Sequence, residues 1–242
     1  MIVTSTNGDV AVITIDRHDK RNALDLAHLA HLHTAITTAV ENGARALVLT
    51  GQGTTFSAGA DLDGVYTGGF RSALYRTLQA LTSAPIPVIA AVNGPAIGAG
   101  TQLALACDLR IAAPTAVFAV PTARNGLAVD PWTIRRLALL AGGGTARAIL
   151  LACDTIGADQ ALSRGLADRI GTREEAIELA GRIAGFAPLS LAYCKRALEQ
   201  LLEDEPAPDE LVQDFDRCWA SEDFAEARRA RAERRDPRFV GR

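Results

Sequence analysis

A chain of 242 residues with 48% hydrophobic and 22% charged side chains can bury a full core as one large domain or two small ones. Its formal charge of −3 supplies no global field for nucleic acid or an anionic membrane, and its composition is neither disordered nor fibrous. No apolar run approaches bilayer length, and Met1 to Asp16 lacks the basic-then-apolar layout of a secretion signal, so no transmembrane segment and a cytoplasmic location are expected.

The β-branched run Val10 to Ile15 follows an Asn7-Gly8-Asp9 turn and predicts a strand. Leu29, Leu32, Ile36 and Val40 recur at helical spacing and predict an amphipathic helix over Asp25 to Glu41. Ala44 to Thr50 reads as a buried strand ended by Gly51-Gln52-Gly53, and Phe56 to Leu62 as a small-residue loop. Phe70, Leu74, Leu78 and Leu81 mark a second helix, broken by Pro85 and Pro87. Ile86 to Val92 is nearly all apolar, as a strand covered on both faces would be. This alternation predicts α/β layering with a largely parallel core.

From Pro131 the pattern turns helical. Thr133 to Ala141, Thr145 to Ala152 and Ala158 to Arg164 are short segments punctuated by glycine. Arg173 to Phe186, Leu189 to Leu202, Pro208 to Trp219 and Asp223 to Arg235 are longer. The last of these is basic, with Arg228, Arg229, Arg231, Arg234, Arg235 and Arg238, which suits a solvated face or a phosphate-bearing ligand or partner subunit. Cys107, Cys153, Cys194 and Cys218 form no metal-ligand or redox pair and read as buried thiols. His28 and His31 share a helix face that His33 does not, so surface positions are expected rather than a metal site. Ser57 has no evident base to activate it.

Two loops carry the chemistry. Phe56 to Leu62 (FSAGADL) and Gly94 to Ala104 (GPAIGAGTQLA) each follow a strand and lead toward a helix. Glycine and alanine there let backbone N–H groups approach a ligand, and a helix opening near Gly98 adds the partial positive charge of its N-terminus. One donor from each loop would polarise a thioester carbonyl and hold an enolate oxygen. Neither loop matches the dinucleotide or P-loop pattern.

Together with DRHDKRNAL (Asp16 to Leu24) and ACDLRIAAPTAVFAVP (Ala106 to Pro121), these loops resemble the enoyl-CoA hydratase/isomerase, or crotonase, family along nearly the whole chain. The chain resembles in particular the mycobacterial and actinobacterial paralogues of that family that lack both catalytic glutamates. The resemblance implies a spiral of ββα units over 1–185 and a C-terminal helical trimerisation region over 186–242. It implies a homo-trimer or hexamer, no cofactor beyond the coenzyme A thioester itself, fatty acyl-CoA as ligand and a protein partner from lipid metabolism.

By position, the resemblance assigns the oxyanion donors to Ala58 and Ala99. It assigns coenzyme A contacts to Ala58, Gly59, Ala60, Asp61 and Leu62, with Gly98 beside them. Lys20, Arg21 and Arg234 fall where the family places phosphate-contacting cations, or are simply solvated. The chain departs from the pattern at the two hydratase glutamates, whose places hold Gln102 and Thr122. Neither side chain titrates near neutrality, so the general acid and base of hydration are missing and a non-hydrating acyl-CoA binder is expected; the alternatives are an enoyl-CoA isomerase using Asp130 as proton shuttle and weak hydration by oriented water. Asp130 matches a carboxylate position of some isomerase members and is equally a good helix N-cap before Pro131. Trp132 would either wall an acyl tunnel or pack in the core.

Overall fold

The computed structural model describes residues 1–61, 69–203, 213, 216 and 219–238. Leu62, Cys218 and most of the helix expected over 208–219 lie outside the described residues. A six-stranded sheet runs β1 (Ile2–Asn7), β2 (Val10–Ile15), β3 (Ala46–Gly51), β4 (Val88–Val92), β6 (Leu109–Ala112) and β9 (Arg169–Ile170) in spatial order. Only the β1–β2 hairpin is antiparallel. A smaller sheet joins β5 (Ala96–Ile97), β7 (Val117–Ala119) and β8 (Ile156–Gly157).

Alternation along the strands splits the core into two faces. Ile13, Ile15, Leu47 and Leu49 pack with α1 (Leu26–Glu41) and α2 (Phe70–Ser83), through Leu29, Leu32 and Leu78 among others. Val10, Val12, Ala46, Val48 and Ile89 face the opposite way, onto Ala176, Leu179 and Ala180 of α6 (Arg173–Ala184). With both faces covered, β2, β3 and β4 are buried along their whole length. α3 (Ala99–Ala106) is also buried throughout, which its small residues permit.

The helical half follows the glycines. α4 (Pro131–Leu151) is continuous except at Gly142, whose φ of 79° breaks it into the two arms expected from the sequence. α5 (Ala158–Ser163), α7 (Pro188–Glu203) and α8 (Glu222–Glu233) follow, and two 3-10 turns, His18–Lys20 and Ala123–Asn125, lie in the loops. The edge strand β1 and the short strands β5, β7, β8 and β9 carry too little pattern for periodicity to reveal. Cys107 and Cys153 are buried as expected, but Cys194 is exposed on α7, so it is not a core thiol. His28 is not simply solvated either: its Nδ1 lies 2.7 Å from Oδ1 of Asp25, the N-cap of α1.

Ion pairs join α7 to the core. Arg136 on α4 donates to both carboxylate oxygens of Glu199, at 2.6 and 2.7 Å, and to the Leu105 carbonyl at the end of α3. The Lys195 ammonium lies 2.9 Å from Asp108 and donates to the carbonyls of Leu81 and Ile86. Burial pushes the Asp108 carboxyl up and the Lys195 cation opposes that shift. Lys195→Ala would strand a largely desolvated carboxylate and two carbonyls, and is expected to cost about 3 kcal/mol. Urea unfolding checks this against Arg196→Ala, an exposed neighbour expected to change stability by less than about 0.5 kcal/mol.

Candidate functional site

The site forms where the loops after β3 and β4 meet. A cavity of about 130 Å³ opens there, lined by Ala58 to Ala60, Ile97 to Ala99 and Gln102. Its far walls are α2, through Arg71, Leu74 and Tyr75, and the 121–130 segment.

Two glycines let the loops touch. A Cβ on Gly59 would sit 2.4 Å from the Ile97 carbonyl oxygen and 3.4 Å from Ala99 N, and the φ of 88° excludes most side chains as well. A Cβ on Gly100 would sit 2.4 Å from the Ser57 carbonyl oxygen. The Ser57–Ala96 bridge, with Ile97 N–H donating to Ser57 at 2.9 Å, fixes their register.

The first loop is held from behind by Asn22, which is fully buried with φ of 58°. Its side chain donates to the carbonyls of Gln52 and Thr55 and accepts from Arg17 N–H, while its own carbonyl accepts from the Ser57 hydroxyl. Four polar contacts of this kind outweigh the strain of a left-handed asparagine. Ser57 therefore has a structural task, since its hydroxyl also accepts from Gly59 N–H.

The backbone bonds correct the assignment of the first oxyanion donor. Ala58 N–H donates to the Arg21 carbonyl at 2.9 Å, so it is not available to a ligand. In the parallel bridge between Leu24 and Ala60, Leu24 spends its N–H on the Gly59 carbonyl and its carbonyl on Asp61 N–H. That pattern turns the N–H of Ala60 away from Leu24, on the residue that lines the cavity. Ala99 opens α3, where no intrahelical acceptor exists for its N–H, and the α3 dipole points its positive end at the cavity. Gly98 lines the same cavity, but its N–H already donates to the Ala119 carbonyl.

At the inner end, Gln102, Asp130 and Thr133 form one buried cluster. The Gln102 amide nitrogen donates to Asp130 Oδ2 at 2.8 Å and to the Thr133 hydroxyl at 2.7 Å. Thr133 in turn donates its hydroxyl to Asp130 Oδ2 and its N–H to Oδ1. Asp130 thus caps α4 and lines the cavity at once. Burial pushes its carboxyl above the ordinary aspartate range, against the hydrogen bonds from Thr133 that pull it down. Burial, and then the Asp130 charge, push the Tyr75 hydroxyl up as well, so it stays protonated at neutral pH. Thr122 also lines the cavity.

Other candidates fall elsewhere. Trp132 does not line the cavity; it packs against the core with the Arg136 guanidinium 5.2 Å from its ring centre. The tryptophan on the cavity is Trp219, from a segment whose sequence gave no sign of reaching it. Asp61 is ion-paired with Arg17 at 2.9 Å and Lys20 at 3.2 Å, so Lys20 braces the loop as well as facing solvent. Arg17 was missed because a lone arginine before a short turn carries no signature. Arg21 is exposed and contributes its backbone carbonyl, and Arg234 is exposed at the C-cap of α8, outside the cavity lining.

Comparison with known proteins agrees with this architecture. The model of the family described as enoyl-CoA hydratase/isomerase matches residues 5–242. A probable enoyl-CoA hydratase, echA6, of Mycobacterium tuberculosis is 47% identical over 237 residues, 96% of each chain. The crotonyl-CoA hydratase of Syntrophomonas wolfei is 31% identical over 99% of this chain and 97% of its own. Among solved structures, an enoyl-CoA hydratase/isomerase from Pseudoalteromonas atlantica superposes with a TM-score of 0.87 at 31% identity, covering 99% of both chains. A methylmalonyl-CoA decarboxylase complexed with 2S-carboxypropyl-CoA reaches 0.91 at 26% identity, over 100% of this chain and 98% of that one. With the fold, the paired loops and this near-complete coverage in hand, the chain belongs to the enoyl-CoA hydratase/isomerase family and adopts its crotonase fold.

Proposed function

We propose that the protein binds fatty acyl-CoA thioesters in lipid metabolism and lacks ordinary hydratase activity. The thioester oxygen sits between Ala60 N–H and Ala99 N–H, the pantetheine and adenine arm runs past Ala58 to Asp61, and Lys20, Arg21 and Arg234 face the phosphates. The observation that carries the reading is the orientation of Gln102. Its amide is turned as a donor to Asp130 and Thr133, and a group that donates there takes no proton from water. Thr122, also on the cavity, brings a hydroxyl that does not titrate near neutrality. Exposed Leu189, Tyr193 and Leu198 on α7 and Leu139 and Leu151 on α4 support self-association into a trimer or hexamer. No helix of the described residues is long and apolar enough to cross a membrane, which fits a cytoplasmic protein serving lipid-metabolism partners.

A second reading is isomerisation, favoured by the Asp130 carboxyl on the cavity wall with its proton affinity raised by burial. Asp130 would remove a proton from C2 of a 3-enoyl thioester and return it at C4. The electron pair would pass through an enolate held by the two N–H groups.

Incubation with trans-2-enoyl-CoA and with 3-enoyl-CoA in heavy water, read by mass spectrometry, separates these readings. Thioesters recovered bound and unchanged are expected. Conversion of the 3-enoyl to the 2-enoyl isomer, lost in Asp130→Asn, would establish the second reading. Gain of a whole heavy water at rates typical of hydratases would overturn the first.

The cluster also explains why a glutamate does not fit at position 102 as the chain stands. In Gln102→Glu two buried carboxyls would stand within hydrogen-bonding distance, and like charges that close do not both ionise. One folded-state pKa would rise above its unfolded value, so the penalty appears above about pH 4 and grows until the raised pKa is passed. Melting temperatures at pH 5 and pH 8 are expected to show the gap between variant and parent widening at the higher pH. A gap independent of pH would refute the coupling.

A further inference from the structure

Trp219 lines the cavity and bridges two of its other lining elements, α2 and the 121–130 segment. On one side its indole N–H donates to the Ala128 carbonyl at 3.1 Å, in the segment leading into α4. On the other side its ring lies under the guanidinium of Arg71 on α2, 4.8 Å from the ring centre. Arg71 also donates to Asp216 at 2.9 Å, so one cation grips the C-terminal segment at two points. Behind Trp219, Phe224 of α8 packs at 5.6 Å between ring centres. Gly126 lets that helix close in, since a Cβ there would lie 2.6 Å from the Asp223 carbonyl oxygen. Arg71, Ala128 and Trp219 all line the cavity that holds Ala60, Ala99 and Asp130.

The size of that cavity gives the crossbar its meaning. At about 130 Å³ it is roughly four times the ~30 Å³ share of one liquid water molecule. Ligand pockets ordinarily measure about 300–1,000 Å³. With the indole in place there is room for a few carbons beyond the thioester. A longer chain that runs toward the indole displaces it only by breaking the Ala128 hydrogen bond and the Arg71 contact together. A group of this size, worth roughly 150–250 Å² of buried surface, is the largest side chain among the described residues that line the cavity.

We propose that Trp219, clamped between Ala128 and Arg71, is the specificity-determining residue that sets the length of acyl chain the site accepts. The inference rests on the acyl-thioester reading above. The indole is a stop that short acyl groups pack against and long ones have to displace. Arg71 acts on length through Trp219, by holding the ring across the opening rather than by touching the thioester. Neither residue contributes to the oxyanion donors or to the Gln102–Asp130 cluster.

The test measures dissociation constants for saturated four-, eight- and twelve-carbon acyl-CoA thioesters by titration calorimetry. The proteins are the full-length parent, Trp219→Ala and Arg71→Gln. Each methylene newly admitted to an apolar site is worth about fourfold in affinity. The preference for the eight- over the four-carbon thioester is therefore expected to rise on the order of a hundredfold in Trp219→Ala. Arg71→Gln keeps the indole but frees it, so a smaller shift in the same direction is expected there. Matching length profiles in the parent and in folded Trp219→Ala would overturn the proposal. If Trp219→Ala does not fold, an unshifted profile in Arg71→Gln overturns it instead. Failure of the parent to bind any of the three thioesters is a different result: it removes the acyl-binding reading itself, and the length stop with it.

Discussion

The approach of two backbones at Gly59 and Gly100 is the constraint on which the rest of the site depends. Each glycine faces a carbonyl oxygen where a Cβ would come to 2.4 Å, so the loops after β3 and β4 are in direct main-chain contact. That contact brings the N–H of Ala99, at the positive end of a buried helix, beside the loop that carries Ala60. A donor pair made of backbone needs no side chain to be oriented and no reorganisation when charge develops on a ligand oxygen. Asn22 and Arg17 stabilise the arrangement from outside, through the carbonyls of the β3 loop and through Asp61.

Behind the donors, the polar cluster is a set of mutual choices. Asp130 needs donors because it is buried and caps α4, and Gln102 and Thr133 supply them. Once Asp130 is there, an amide at position 102 satisfies the carboxylate where a second carboxylate would repel it. The absence of a hydratase glutamate is thus matched by the residue that faces it. In this chain the inner end of the cavity is organised around one acid held by neutral donors.

Much of this was legible in the sequence, for identifiable reasons. Strands β2, β3 and β4 are continuous apolar runs, α1 and α2 have strong helical periodicity, and Gly142 marks its own break in α4. The two loops announce themselves by small residues at strand-to-helix junctions, and Asp130-Pro131 by cap chemistry. What was not legible depends on contacts distant in the chain. That Ala58 is silenced by Arg21 follows from a hydrogen bond between turns, and side-chain identity carries no trace of it. That Trp219 rather than Trp132 reaches the cavity depends on the path of the C-terminal segment. The pairing of Lys195 with Asp108 is a buried ion pair between elements that periodicity treats as separate.

The outermost strand of the main sheet has a consequence for how copies of the protein meet. β1 runs Ile-Val-Thr-Ser-Thr-Asn, exposed from Val3 onward, and is joined only to β2. The other border, β9, is two residues long. A short border and a hydroxyl-rich one offer little apolar surface for a foreign strand to dock against, so growth of the sheet into fibres is disfavoured at both ends. Larger exposed apolar side chains lie instead on helices, among them Leu139 and Leu151 of α4 and Leu189, Tyr193 and Leu198 of α7. A self-complementary patch closes into an assembly of fixed number, whereas an open strand border is a template that can be extended repeatedly. The sheet's two borders thus guard against open-ended growth by composition at one end and by brevity at the other.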